Sequence, residues 1–201
     1  MVLIGACFSC FGSLYDTKHS RLIELWRNTL RNDLDKDVVR LYLGLNDICE
    51  ELKQTGLQEI SLTRLYTVDA KLEQFLIFAR LDTILELEHN TSPQDRVLIV
   101  SGEFWNAGLS ELPAIYQAMK CFRNSYVKPL IVLIEEDKQL TEEQLASWMW
   151  AKEQVCRIAE ETAKIKRGSS DEYLKPDQSQ LSAVQNAVKL SITLINRKSG
   201  I

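Results

Sequence analysis

Residues 128–136 read KPLIVLIEE, and the way this run is read decides the fold. It is a continuous Val/Ile/Leu stretch of the length expected for a strand buried on both faces. RVLIVS, residues 96–101, is its counterpart upstream, and VLIGACF, residues 2–8, has the same character near the start of the chain. The same residues also fit a helix. Val127, Leu130, Ile131 and Ile134 fall three and four positions apart, and Ser92-Pro93-Gln94-Asp95 is a good helix opening ahead of the upstream run. Periodicity alone does not separate the two for short apolar runs.

Working outward, the pattern that recurs is a short apolar run, a loop and an amphipathic helix. Such units in series predict a parallel sheet covered by helices, because parallel strands need crossover connections. The expectation is therefore an α/β fold: a helix-rich, Rossmann-like domain over residues 1–138 with a small parallel sheet, then a C-terminal helical hairpin over 139–201. An all-α helical bundle is the alternative. VLIGACF leads to a helix near Thr17–Arg31. DVVRLYLGL reads as a strand reaching Gly44, or as part of one helix from Asp35 to Gln54. LQEISLTRLY, Leu57–Tyr66, reads as a strand. The segment Asp69–His89 reads as a helix with Leu72, Phe75, Leu76, Ala79 and Thr83 on one face. LSELPAIYQAMKCF reads as a helix that Ser110 caps, with Pro113 in its first turn.

The C-terminal part is clearer. Thr141 and Gln144 have the spacing of a capping box. The helix that follows, Glu142–Arg167, carries Leu145, Trp148, Met149, Val155, Cys156, Ala159 and Ala163 on one face. GSSDEYLKP is a linker, and a last helix bears Leu181, Val184, Val188, Ile192 and Ile195 as a stripe. Two long helices joined by a short loop form an antiparallel hairpin.

Composition limits the function classes. Hydrophobic residues are 45% of 201 and charged residues 26%, an ordinary globular balance. A chain of this length buries roughly 70% of its unfolded surface without a disulfide or metal. The net charge of -4 argues against a broad nucleic-acid face. Five cysteines, an odd number scattered among apolar residues, point to a reducing compartment, so the expected location is cytoplasmic. Met1–Tyr15 is apolar without a basic start. It reads as a first core strand, with a membrane-touching or acylated segment and a signal peptide as alternatives. Cys7 and Cys10 form a lone C-x-x-C with no second pair, so no metal site is expected. With only His19 and His89 present, His-assisted nucleophilic catalysis is poorly supported.

In an open parallel sheet, ligands bind beyond the carboxyl ends of the strands. That rule selects Ser9 after the first run, Gly44 after the second, and the loop SGEFWNAGLSEL, residues 101–112, after RVLIV. This loop, the helix after it and KPLIVLI resemble the nucleotide phosphoribohydrolases often labelled lysine decarboxylases. Those proteins carry a Pro-Gly-Gly-x-Gly-Thr-x-x-Glu loop and a Lys-Pro strand. Gly102, Glu111, Lys128 and Pro129 match in order; the remaining glycines and the Thr do not, and the loop is longer. The stretch also resembles Toll/interleukin-receptor domains, whose Ser-x-x-Phe loop precedes a helix with a catalytic Glu. Ser101 and Phe104 match, the Trp-Cys element does not, and Glu111 comes early. The resemblance covers about 40 residues and implies a Rossmann-like sheet with N-glycosidic or nucleotide-sensing activity.

On that reading Glu111 is the catalytic candidate, a carboxylate that stabilises an oxocarbenium-like ribosyl centre. Ser101 and Gly102 would hold phosphate or ribose hydroxyls, and Trp105 would stack a base. Asn106 and Ser110 complete the loop. The structural alternative makes Glu111 a first-turn acid favoured by the helix dipole and Trp105 a packing residue. The expected ligand is a nucleotide-like small molecule (NAD, ADP-ribose or a nucleoside phosphate), with no separate cofactor. The second functional expectation is a non-enzymatic helical adaptor. It would bind a protein partner, a second copy or a membrane through its N-terminal apolar segment and C-terminal helices.

Overall fold

The computed structural model describes residues 43–55, 60–79, 111–165 and 178–197. Every regular element among them is helical, and there is no strand. The α/β, Rossmann-like expectation is corrected on this point: the described chain follows the all-helical alternative.

Residues 43–53 form α1, Leu62–Ala79 form α2 and Leu112–Phe122 form α3. A π-helical turn, Arg123–Val127, joins α3 to α4, Lys128–Glu135. Then come α5, Glu142–Ala163, and α6, Gln178–Asn196. KPLIVLIEE is thus helical apart from its last residue. The reason lies in its exposure: Val127, Leu130 and Ile131 are buried while Val132 is 49% exposed. One buried stripe satisfies a helix packed on one side, whereas a strand covered on both faces would need Val132 buried as well. The other strand readings inside the described residues fail likewise. Positions 43–45 lie in α1, and Leu62–Tyr66 are the first turns of α2. VLIGACF, RVLIVS and the helix near Thr17–Arg31 lie outside the described residues.

Local chemistry sets the helix ends. Ser61 Oγ accepts from the Arg64 amide at 3.3 Å and starts α2. The capping box is formed: Gln144 N donates to Thr141 Oγ1 at 3.2 Å, and Thr141 N donates to Gln144 Oε1 at 3.0 Å. Pro113 sits in the first turn of α3, where its missing N–H costs nothing. Pro129 is different, because it follows the π turn within a continuous helical path. It removes one donor and crowds the carbonyl four residues back. The path widens just before it, so that Lys128 N bonds to Arg123 O, five residues back. At the end of α4, Lys138 N reaches Leu133 O at 2.9 Å and Asp137 N reaches Ile134 O at 3.1 Å. With Asp137 at φ 53, this is a Schellman closure.

Helix α3 is the centre. Leu112 to Tyr116, Ala118, Met119 and Phe122 are all buried, and α3 packs against α2, α5 and α6. A helix apolar around most of its circumference belongs inside a bundle. Helix α2 buries Leu65, Val68, Leu72, Phe75 and Ala79 at alternating spacings of three and four. On α5, Trp148 is fully buried and stacks on Phe122 at 5.5 Å, and Phe122 stacks on Tyr126 at 6.0 Å. Such aromatic pairs contribute about 0.5–1.5 kcal/mol each beyond their buried area. Helix α6 packs on α3 and α5, and the residues it buries include the small Ala183, Ala187 and Ser191. Ser191 satisfies its hydroxyl on the Ala187 carbonyl at 2.8 Å.

Candidate functional site

Of the residues predicted to form a ligand site, Glu111 and Gly44 fall among the described residues. Ser9, Ser101, Gly102, Trp105, Asn106 and Ser110 lie outside them. Glu111 immediately precedes α3 in right-handed helical geometry, and its side chain makes no capping bond. Its carbonyl accepts the Ile115 amide at 3.0 Å, and the residue is 0% exposed. Its carboxylate therefore sits at the positive end of the central helix but behind the molecular surface. Gly44 is inside α1, not in a loop. A Cβ there would meet Phe75 Cδ2 at 3.9 Å, an ordinary packing contact. The strand-end role expected of Gly44 is corrected accordingly: there is no strand before it among the described residues, and its flexibility serves no turn.

The polar groups of α1, α2 and α4 are tied into clasps between helices. Arg123 grips Asp69 with Nε–Oδ1 at 2.7 Å and Nη2–Oδ2 at 3.0 Å, and Nη2 also reaches Glu73 at 3.2 Å. This bidentate hold raises the guanidinium further above its already high range, Asp69 being the main cause. Glu51 on α1 receives Arg64 at 3.8 Å and Lys71 at 3.5 Å, both from α2. Tyr66 on α2 donates to Glu135 on α4. These groups are engaged in holding helices together. No cluster of three or more His, Cys, Asp or Glu able to hold a metal ion occurs among the described residues.

Apolar surface is the other resource. Leu43, Tyr66, Ile77 and Val132 are exposed. Tyr66 and Ile77 lie three turns apart on α2 and so share a face. On α6 the expected stripe is rotated. The side chains facing the core are Ala183, Val184, Ala187, Ser191 and Leu194, whereas Leu181, Val188 and Ile192 stand half-buried on one flank, with Ile195 at its edge. The apolar arc of α6 is thus wider than the stripe its own core covers. On the opposite flank, Asn186 donates to Glu161 of α5 at 3.3 Å, and Arg197 lies 4.0 Å over the Trp150 ring. Helix α5 therefore closes that side. The buried face of α5 differs from expectation too: Ala163 is exposed, and Ser147, Gln154 and Thr162 are buried with Trp148 and Val155.

One cluster was not anticipated. Cys156 of α5 points its Sγ at the Cys49 carbonyl of α1, 3.8 Å away, and Lys152 donates to the Thr55 carbonyl just past the end of α1. Burial pushes the Cys156 thiol up to about 12 and draws Lys152 below the usual lysine range. The available signal was that both cysteines occupy helical core positions, each four residues from a lysine.

No described helix is long and apolar enough to cross a membrane. No family model, curated protein or solved structure matches the chain.

Proposed function

We propose that this chain is a non-enzymatic helical interaction protein that associates through the outer flank of α6. The observation that carries the reading is the excess apolar arc of that helix, with Leu181, Val188 and Ile192 half-buried outside the stripe that meets α3 and α5. Leu181, Val188 and Ile195 repeat every seven residues, and Ile192 adds the intervening position. That spacing suits a seam between two helices. A seam of this kind is self-complementary under two-fold symmetry, so the occupant assigned to it is a second copy of the chain. The burial of Glu111 and the helical setting of Gly44 favour this reading over nucleotide hydrolysis, which needs a carboxylate within reach of its substrate.

Sedimentation of the purified chain over a wide concentration range tests the proposal. The wild type is expected to associate by mass action, and Val188→Glu and Ile192→Glu to remain monomeric with unchanged far-UV circular dichroism. A wild type that stays monomeric at every concentration defeats the self-association reading. Thermal unfolding with NAD, ADP-ribose and nucleoside monophosphates tests the non-enzymatic part. A ligand at 100 times its dissociation constant stabilises by about 2.7 kcal/mol, and the expected result is no shift.

A further inference from the structure

Cys49 and Cys156 are 107 positions apart in sequence and meet where α1 lies on α5. Cys156 Sγ comes within 3.8 Å of the Cys49 carbonyl oxygen. Both are free and buried, at 2% and 9% exposure. A side-chain sulfur this near the facing main chain brings the two backbones close, and disulfides span Cα atoms about 4.4–6.8 Å apart. The surroundings are two-sided. Leu45, Ile48 and Leu52 make the α1 side apolar, while the ammonium groups of Lys53 and Lys152 act on the thiol pair from one turn along each helix. Positive charge favours the thiolate, the reactive form, and burial opposes it. At Cys156 burial outweighs the charge and raises the thiol, and with both cysteines buried an oxidant gains access through opening of the α1–α5 contact.

We propose that Cys49 and Cys156 form a redox modification site, a dithiol that hydrogen peroxide converts to a disulfide tying α1 to α5. The Cys49 sulfur attacks one peroxide oxygen and the O–O bond breaks. Cys49 becomes a sulfenic acid, and its thiol proton leaves with the other oxygen as the first water. The Cys156 sulfur then attacks the sulfenic sulfur, the S–S bond forms and the S–O bond breaks. Hydroxide leaves with the Cys156 proton as a second water. The two sulfurs together lose two electrons, and the peroxide gains them. The inference does not depend on the association proposed for α6.

Peptide mapping of the full chain is the test. Reduced protein is freed of reductant, treated with hydrogen peroxide, alkylated and digested. The expected product is a peptide pair joined through Cys49 and Cys156, lighter by two hydrogen atoms than its reduced parts and released by dithiothreitol. A loop this long gives a large entropic effect, so the thermal midpoint of oxidised protein should rise by on the order of 10 °C over the reduced form. Cys49→Ala and Cys156→Ala should each abolish that rise. Cys121→Ala should preserve it, because Cys121 faces the Leu194 carbonyl on α6 at 4.0 Å. If the alanine variants do not fold, the wild-type peptide map decides alone. Recovery of both thiols alkylated after peroxide has oxidised other cysteines would overturn the proposal. So would joining of either one to a different cysteine.

Discussion

Gly44 and Asp137 each occupy a position suited to the other's residue type. Gly44 lies within α1, where glycine forfeits backbone entropy and gains no packing space, since a Cβ would only touch Phe75 at 3.9 Å. Gly44→Ala is expected to stabilise the protein by about 0.5–1 kcal/mol, read from chemical denaturation. Were Gly44 a ligand-approach position in a loop, the same change would leave stability unimproved and weaken binding. Asp137 stands at the left-handed position of the α4 closure with φ 53, the place glycine usually fills. Asp137→Gly should relieve about 1 kcal/mol of backbone strain and leave the Lys138–Leu133 bond in place. A loss of stability would mean that the Asp137 side chain contributes more to the turn than its backbone costs.

At the scale of elements, legibility in the sequence followed the source of each signal. Where side-chain chemistry marks an end, the reading was direct. Thr141 and Gln144 specify a capping box that the structure forms, and Pro113 marks a first turn. Where only an apolar run was available, strand and helix were indistinguishable. KPLIVLIEE went the wrong way because nothing local says whether one face or both will be covered. That is decided by the packing of α4 on α2, which leaves Val132 in solvent. The stripe of α6 was misplaced for a related reason. Val188 and Ile192 are the larger aliphatic residues, yet the face that is buried also includes the small Ala183, Ala187 and Ser191 beside Val184 and Leu194. The candidate site was legible least of all. Glu111 reads as a catalytic carboxylate or as an acid at a helix start, and residue type and spacing cannot foretell that it is 0% exposed.

At the scale of the whole molecule, the sequence suggested a boundary near residue 138, between a first domain and a helical hairpin. The packing bears on how independently those parts behave. A single apolar cluster contains Leu45, Leu65 and Leu72 from before that point and Trp148, Val155, Ala187 and Leu194 from after it. Trp148 of α5 stacks on Phe122 of α3, and α6 lies against both helices. Elements sharing one core lose their contacts together, so the described helices should unfold as one cooperative unit. Thermal unfolding followed by far-UV circular dichroism reports all helices, whereas the fluorescence change that disappears in Trp148→Phe reports the α3–α5 contact. The two curves are expected to superimpose, with one midpoint. A fluorescence transition clearly ahead of the loss of helix would show that α5 and α6 detach as a separate unit while α1 to α4 persist. That result would also change where the α6 flank acts, because a detached hairpin would offer its core-facing side to a partner as well.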